Sequence, residues 1–304
     1  MRRLRYFVAV AEEGHITRAS ERLGMAQAPL SQQMKILERE LGAQLLRRHP
    51  RGVEPTDAGR ALLVEARAVL ARVAEAEAAV TRTARGEAGR IRVGFTNSAC
   101  FHPLTAAAIG DFRAAAPQVG LSFEQAGTAA LIEALQSGAI DVAFIRTAAT
   151  RPHGLAVHAL AEEPMIAALP VSHLLAGGDG ALALADLASE TFIGYPRAEG
   201  AGLYDAIIAA CHAEGFSPRI GHETPQMIAT LSLVAAGLGV SIVPASLRRM
   251  QLEGVAYRDL IAAAPPRAQL NLALRATEPS AAVQRFAAVA RQGRRSRSQG
   301  AGVG

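Results

Sequence analysis

One stretch constrains the fold of this chain more than any other: residues 16–41, ITRASERLGMAQAPLSQQMKILEREL. Apolar residues recur in it at helical spacing on both sides of a short break. Gly24 can take the left-handed backbone that ends a helix, and Pro29 is tolerated in the first turn of the helix that follows. The stretch therefore predicts two short helices joined by a tight turn, with Thr17 capping the first helix.

The second predicted helix carries short or flexible hydrogen-bonding side chains just after Pro29, namely Ser31, Gln32, Gln33 and Lys35. Such groups at the start of a second helix suit base edges and phosphates in a major groove. The alternative is an ordinary helical hairpin with a solvated polar face, because short helix-turn-helix patterns give false positives.

The flanking residues favour DNA binding. Upstream, apolar residues at helical spacing predict a first helix that ends at Gly14. Downstream, residues 42–48 and 53–55 read as two strands, and the turn 49–52 between them is basic. Together these elements predict a winged helix-turn-helix whose wing contacts the phosphate backbone.

Residues 4–63, LRYFVAVAEEGHITRASERLGMAQAPLSQQMKILERELGAQLLRRHPRGVEPTDAGRALL, resemble the DNA-binding region of LysR-type transcriptional regulators. The chain departs from the family at Gln32, where an arginine is often found. The candidate DNA-binding residues are Thr17, Arg18, Gln27, Pro29, Ser31, Gln32, Gln33, Lys35, Arg48 and Arg51.

A long helix is predicted for residues 56–86, where apolar residues recur at near-heptad spacing between charged ones. Such a stripe packs either against the same helix of a second chain or against its own domain. We favour dimerisation, because a long Ala-rich helix needs a surface against which to bury its stripe. The resemblance adds that this helix dimerises in the family, with a homodimer or homotetramer as the expected assembly.

Charge is distributed unevenly along the 304 residues. Residues 1–90 carry 16 Lys and Arg against 11 Asp and Glu, residues 91–290 carry 12 against 16, and residues 291–304 carry 4 against 0. A basic head on a mildly acidic body fits a DNA-binding module joined to a sensing or catalytic body. The basic tail from Gly293 is predicted to be disordered.

The rest of the chain alternates strands and helices. Residues 90–145 read as β–α–β–α–β, which implies a parallel sheet covered by helices. Further strands and helices follow, and residues 269–275 form a strand that returns to the first half. We therefore predict two α/β lobes, with crossings near Leu160 and Ala264.

This body resembles the effector-binding region of the same family, which has the periplasmic-binding-protein fold. The segments GFTNSACFHPL, GTAALIEALQSGAIDVAFIR, PRAEGAGLYDAIIAACHAEGF and LVAAGLGVSIVP resemble the subgroup that controls aromatic and chloroaromatic degradation. The predicted fold is α/β: a winged helix-turn-helix (1–58), a linker helix (59–88), an effector domain (89–292, lobe I being 89–160 and 266–292 and lobe II 161–265) and the tail (293–304).

Ligands of open α/β lobes bind beyond the carboxyl ends of the strands. Ser98 and Thr128 lie at such ends, each at a predicted helix N-terminus, and Arg146 ends the third strand. The alternatives are that the hydroxyls only cap helices and that Arg146 only forms a salt bridge. The candidate effector-binding residues, as the resemblance also implies, are Ser98, Ala99, Cys100, Thr128, Arg146, Pro196, Leu203, Glu223 and Gln226. Cys100 is either a thiol sensor or, as we favour, a small buried residue.

Other functional classes lack support in the sequence. Gly-x-Ser-x-Gly and His-Glu-x-x-His motifs are missing, the eight histidines have no metal-ligand spacing, and no enzyme activity, metal or cofactor is expected. The N-terminus lacks the apolar core of a signal peptide, and two cysteines suggest a cytoplasmic setting. The expected partners are promoter DNA, a small carboxylate, a second copy of the chain and, by resemblance, RNA polymerase, but no membrane. The alternatives are a two-lobe solute-binding or catalytic protein and a regulator without a ligand.

Overall fold

The computed structural model describes residues 1–50, 52–146, 152–178 and 180–300, with side chains described except at 198–200 and 294–300. The chain divides into two compact units, Met1–Arg82 and Thr83–Gly304. In the described helices, no segment is both long and apolar enough to cross a membrane.

The N-terminal unit is a winged helix-turn-helix, as predicted. Its elements are α1 (Arg2–Glu13), α2 (Ile16–Arg22), α3 (Gln27–Leu41), β1 (Leu46–His49), β2 (Gly52–Pro55) and α4 (Asp57–Ala84). The predicted cap was wrong: His15 precedes α2, and its Nδ1 accepts a hydrogen bond from the Thr17 amide at 3.3 Å. Thr17 therefore lies inside the helix.

Two glycines fix the position of α3 and of the wing. Gly24 has φ +62°, which lets the chain reverse between α2 and α3. Gly52 has φ +144°, and a Cβ on it would lie 2.2 Å from the Gly14 carbonyl oxygen. The antiparallel hairpin β1–β2 can therefore lie directly against the end of α1.

Helix α4 behaves differently along its length. Near its start, Leu62 and Leu63 pack against the core of the N-terminal unit, and Ala66 is buried. Farther along, Leu70 and Val73 are only half-buried, and Val80 is 70% exposed. Packing against its own domain therefore accounts only for the first part of the apolar stripe.

The C-terminal unit begins with the predicted β–α–β–α–β order. Its elements are β3 (Ala88–Phe95), α5 (Pro103–Ala115), β4 (Gln118–Gln125), α6 (Thr128–Ser137), β5 (Val142–Ile145), β6 (Leu155–Pro170), β7 (Leu182–Ala183), β8 (Thr191–Gly194), α7 (Arg197–Ala213), β9 (Arg219–Glu223), α8 (Met227–Ala235), β10 (Ser241–Pro244), β11 (Val255–Ile261), β12 (Arg267–Arg275) and α9 (Ala281–Gly300). Strand β3 pairs in parallel with both β4 and β5, which confirms the predicted parallel sheet.

One sheet runs through both lobes in the order β4-β3-β5-β12-β6-β11-β7, and β10 also pairs with β6. One hydrophobic core includes Phe112, Phe144 and Phe286, and another includes Phe192 and Val243. The chain passes between them along β6 and returns along β12. Sequence patterns missed β7, β11 and the first half of β6.

The end of the chain differs from expectation. Helix α9 extends to Gly300, so residues 293–300 are helical rather than disordered. Residues 301–304 of the predicted tail lie outside the described residues.

Candidate functional site

The exposed face of α3 is the candidate DNA-binding surface. Leu30, Met34 and Leu37 are buried in the core of the N-terminal unit. The opposite face presents exposed residues spaced at four, three and four positions, Ala28, Gln32, Lys35 and Arg39. Of the predicted contacts, Gln32 and Lys35 thus share one solvent-facing stripe.

The other predicted contacts on the helices have different surroundings. Gln27 is exposed, and its Oε1 accepts a bond from Thr17 Oγ1 at 3.3 Å, while Pro29 is exposed and Ser31 half-buried. Gln33 Oε1 accepts a bond from Arg3 Nε at 3.1 Å, and Arg18 donates to the Glu13 carbonyl. Gln33 and Arg18 are therefore also engaged within the unit.

The wing presents basic side chains. Arg48 is exposed on β1. Its neighbour Arg47 pairs with Glu54 across the hairpin at 2.7 Å. Arg51, the other predicted wing contact, lies outside the described residues.

The candidate ligand site is a cleft between the two lobes of the C-terminal unit. It is lined by Thr96, Asn97, Ser98, Gly127, Thr128, Arg146, Tyr195, Leu203, Pro225 and Met227. The empty volume of the cleft is about 340 Å³, which includes the solvent at its mouth, and about 30 Å³ is open to the centre of a water molecule. Four predicted residues, Ser98, Thr128, Arg146 and Leu203, are brought together here.

Arg146 is the largest fully buried side chain of the unit, and it forms an ion pair. Its Nη2 lies 2.5 Å from Glu163 Oε1 and also donates to the Ser98 carbonyl. Its Nη1 donates to the Ala268 carbonyl. Glu163 Oε2 accepts the Ser246 amide at 2.7 Å. The salt bridge that was the alternative to anion binding is thus present, and Arg146 is also a lining residue of the cleft.

Two residues that line the cleft each have a donor without a hydrogen-bond partner among the described residues. The donors are Thr96 Oγ1 and Arg146 Nε, and both atoms are buried. Leaving a buried donor without a partner costs about 1–3 kcal/mol. These atoms therefore mark a place where a ligand acceptor would be stabilised.

The two helix N-termini near the cleft are not equivalent. After β3 the chain forms a 3₁₀ turn, Ala99–Phe101, whose Ala99 and Cys100 amides donate to the Thr96 carbonyl. Helix α5 begins only afterwards, and His102 Nδ1 caps it at the Leu104 amide. Helix α6 has no side-chain cap within the described chain. The N–H groups available to an anion therefore belong to α6 rather than to the segment after β3.

The hydroxyls of Ser98 and Thr128 do not cap the helices that follow them, contrary to the alternative considered from the sequence. Ser98 precedes the 3₁₀ turn without making a capping side-chain bond to the residues described. Thr128 is the first residue of α6, and its Oγ1 donates to the Arg146 carbonyl at 3.3 Å. Both residues are buried and line the cleft.

Several predicted effector contacts do not line this cleft. Ala99 is fully buried in the lobe I core, Pro196 precedes α7, and Glu223 is exposed on β9. Cys100 and Gln226 line a neighbouring cavity instead. The candidate contacts from the sequence did not include Thr96 and Tyr195. Thr96 directly follows the predicted strand 90–95 and Tyr195 ends the predicted strand 191–195, so both could have been found by their place at a strand end.

Burial dominates the acid–base chemistry around the cleft. It raises the pKa of the Cys100 thiol, so the residue lacks the thiolate character of a reactive sensor. It also raises the pKa of Tyr195, whose hydroxyl donates to Met227 Sδ at 2.6 Å. Burial lowers the pKa of His102 and of Arg146, and the nearby Glu163 carboxylate opposes both changes.

A winged helix joined to a two-lobe domain with a polar cleft defines a DNA-binding regulator that carries a ligand-binding domain. The model of the bacterial regulatory helix-turn-helix protein, lysR family, matches residues 1–60, and that of the LysR substrate binding domain matches residues 84–295. The chain belongs to the LysR family of transcriptional regulators.

Similar proteins support this family. The uncharacterized HTH-type transcriptional regulator YnfL of Escherichia coli K12 is 41% identical over 83% of this chain and 84% of that protein. The HTH-type transcriptional regulator BudR of Raoultella terrigena is 37% identical over 94% and 98%. The crystal structure of full-length CbnR complexed with target DNA matches with a TM-score of 0.82 and 29% identity, covering 96% of this chain and 99% of that chain.

Proposed function

We propose that this regulator controls transcription in response to a small carboxylate bound between its lobes. The observation that carries the proposal is a pair of unpartnered buried donors, Thr96 Oγ1 and Arg146 Nε, that belong to two residues lining one cleft. A carboxylate offers two acceptor oxygens and can satisfy both donors. The uncapped N-terminus of α6 adds N–H groups and a favourable dipole.

Hydrogen bonds would hold this anion more than net charge would. Glu163 already neutralises Arg146, so a bulky polyanion would gain little electrostatic energy there. The walls contributed by Leu203 and Met227 are apolar. We therefore propose an effector derived from an aromatic acid rather than a phosphate ester.

Effector binding would couple to the DNA through the lobes. The cleft joins Thr96 and Thr128 of lobe I to Leu203 and Met227 of lobe II, so a ligand that contacts both sets favours one relative angle of the lobes. We propose that two chains dimerise through the second part of α4. A change in lobe angle would then alter the spacing of the two DNA-binding heads and their contact with RNA polymerase.

DNA recognition is proposed to rest on α3 and the wing. Gln32 and Lys35 on the exposed stripe of α3 would enter the major groove, while Arg48 would contact phosphate. Thr17, Gln27 and Ser31 would lie nearer the edge of the contact.

Thr96→Val tests the effector site, because valine retains the shape of threonine and removes only the hydroxyl. Titration of wild type with a panel of benzoates and muconates identifies a binding acid, and the variant should bind it roughly ten- to a hundredfold more weakly. DNA binding without effector should be unchanged.

Thr105→Val is the matched control. This buried hydroxyl donates to the Ala99 carbonyl at 2.8 Å and does not line the cleft. The control should lose stability without losing affinity for the acid. Equal affinities of wild type and Thr96→Val would refute the proposed carboxylate position.

A further inference from the structure

A second cavity adjoins the cleft, and the two differ in the space they offer. The cleft offers about 30 Å³ to the centre of a water-sized group. The second cavity, called here the outer chamber, provides about 370 Å³ by the same measure.

The outer chamber shares four lining residues with the cleft. Asn97, Gly127, Pro225 and Met227 line both spaces. At their junction Asn97 Nδ2 donates to the Pro225 carbonyl at 2.7 Å, which joins the two lobes. For a ligand whose carboxylate lies in the cleft, the outer chamber is the larger neighbouring space for its remaining atoms.

The lining of the outer chamber is neutral. Beyond the shared residues it consists of Phe101, Ala126, Ile228, Cys100, Gln125 and Gln226. The described part of the chain contributes no charged side chain to this lining. Ile228 is 52% exposed, so a ligand body would cover apolar surface there.

We propose that the outer chamber selects the uncharged body of the effector, so that the protein prefers a monocarboxylate to a dicarboxylate with the same carbon skeleton. The inference rests on the proposed function, since it takes one carboxylate in the cleft as given. A second carboxylate would enter the chamber without a cation to pair with and would lose hydration. An apolar terminus would instead bury Ile228 and Phe101.

Sorbate and trans,trans-muconate test this preference, because they share a six-carbon diene and differ by a methyl group against a second carboxylate. Isothermal titration of the full-length protein near neutral pH should give an affinity for sorbate at least about tenfold higher. Thr96→Val should weaken sorbate binding, which shows that the acid occupies the cleft.

Ile228→Arg places a cation in the outer chamber and should shift the preference towards muconate by at least about tenfold. Ile261→Arg is the matched control, because Ile261 is 62% exposed on β11 and does not line the chamber. It should leave the preference unchanged.

Equal or tighter binding of muconate by the wild type would overturn the inference and leave the proposed carboxylate function intact. An unchanged preference in Ile228→Arg would overturn the assignment of the ligand body to this chamber. Failure of both acids to bind would overturn the inference, and loss of binding to the whole benzoate and muconate panel would overturn the proposed function as well.

Discussion

At the scale of single residues, Gln32 and Gln33 are adjacent but are expected to have different roles, Gln32 in contacting DNA and Gln33 in stabilising the N-terminal unit. Gln32 is exposed in the middle of the solvent-facing stripe of α3, whereas the side-chain oxygen of Gln33 is bonded to Arg3. Gln32→Ala should therefore change the sequence preference by roughly 1–3 kcal/mol at one base pair. Competition binding with operator variants measures this change.

Gln33→Ala is the matched control for this substitution. It should leave base discrimination unchanged and lower only stability, because it removes a bond within the unit. If Gln32→Ala bound specific and random DNA as wild type does, the assignment of Gln32 to the groove would be wrong.

His102 gives the C-terminal unit a defined dependence on pH. Burial lowers its pKa in the folded state, so below its usual value of about 6.5 the unfolded chain takes up a proton that the folded chain does not. Its contribution to stability is therefore lost as the pH falls through the unfolded pKa towards the lower folded pKa.

His102→Asn removes this titration and keeps a residue able to cap α5. The advantage of wild type over the variant should shrink between about pH 7.5 and pH 5.5. Denaturant unfolding at both values measures the difference, in which the other histidines cancel. A difference that is constant across this range would contradict the role of His102.

At the scale of elements, α4 has two parts that differ in how far their apolar residues are buried. Leu63 packs on its own unit, so a charge there would damage the fold rather than only the dimer. Leu70 and Val73 continue the same stripe where it is half-exposed. The double substitution Leu70→Glu and Val73→Glu should dissociate the dimer, because it would bury ions without partners.

Analytical ultracentrifugation measures this dissociation, and binding to a paired half-site should fall with it. Val64→Glu is the control, since Val64 is 66% exposed on the other side of the helix. If the double variant sedimented as the wild type does, the second part of α4 would not form the dimer interface.

At the scale of the whole C-terminal unit, the Arg146–Glu163 pair joins segments that belong to different lobes. Arg146 follows β5 in lobe I, Glu163 lies on β6, and Ser246 follows β10 in lobe II. Glu163→Gln should cost about 3–5 kcal/mol of unfolding free energy, because it leaves a buried guanidinium without its counterion.

Adding Arg146→Met to Glu163→Gln should recover part of that loss, since no buried charge then remains. Denaturant unfolding of the two single variants and the double variant measures the coupling. Additive losses would mean that the two side chains do not stabilise one another.

The sequence alone determined the elements whose signals are local. Helical periodicity, Gly24 and the position of Pro29 depend on residues close together in the chain, and so does the alternation that predicted β3, β4 and β5. Predictions from these signals gave the winged helix-turn-helix and the parallel half of the sheet. The predicted cap of α2 failed because the helix begins directly after His15, whose Nδ1 accepts the Thr17 amide, so Thr17 is already a helical residue.

Only the tertiary structure decided the chemistry of the cleft. Thr96, Arg146 and Pro225 lie far apart in the sequence and meet because β6 and β12 carry the chain between two cores. Whether a hydroxyl caps a helix or stays unpartnered depends on such distant neighbours, which local pattern does not encode. For this reason the sequence placed the candidate site at strand ends, and only the structure added Thr96 to it and separated the small polar cleft from the neutral chamber beside it.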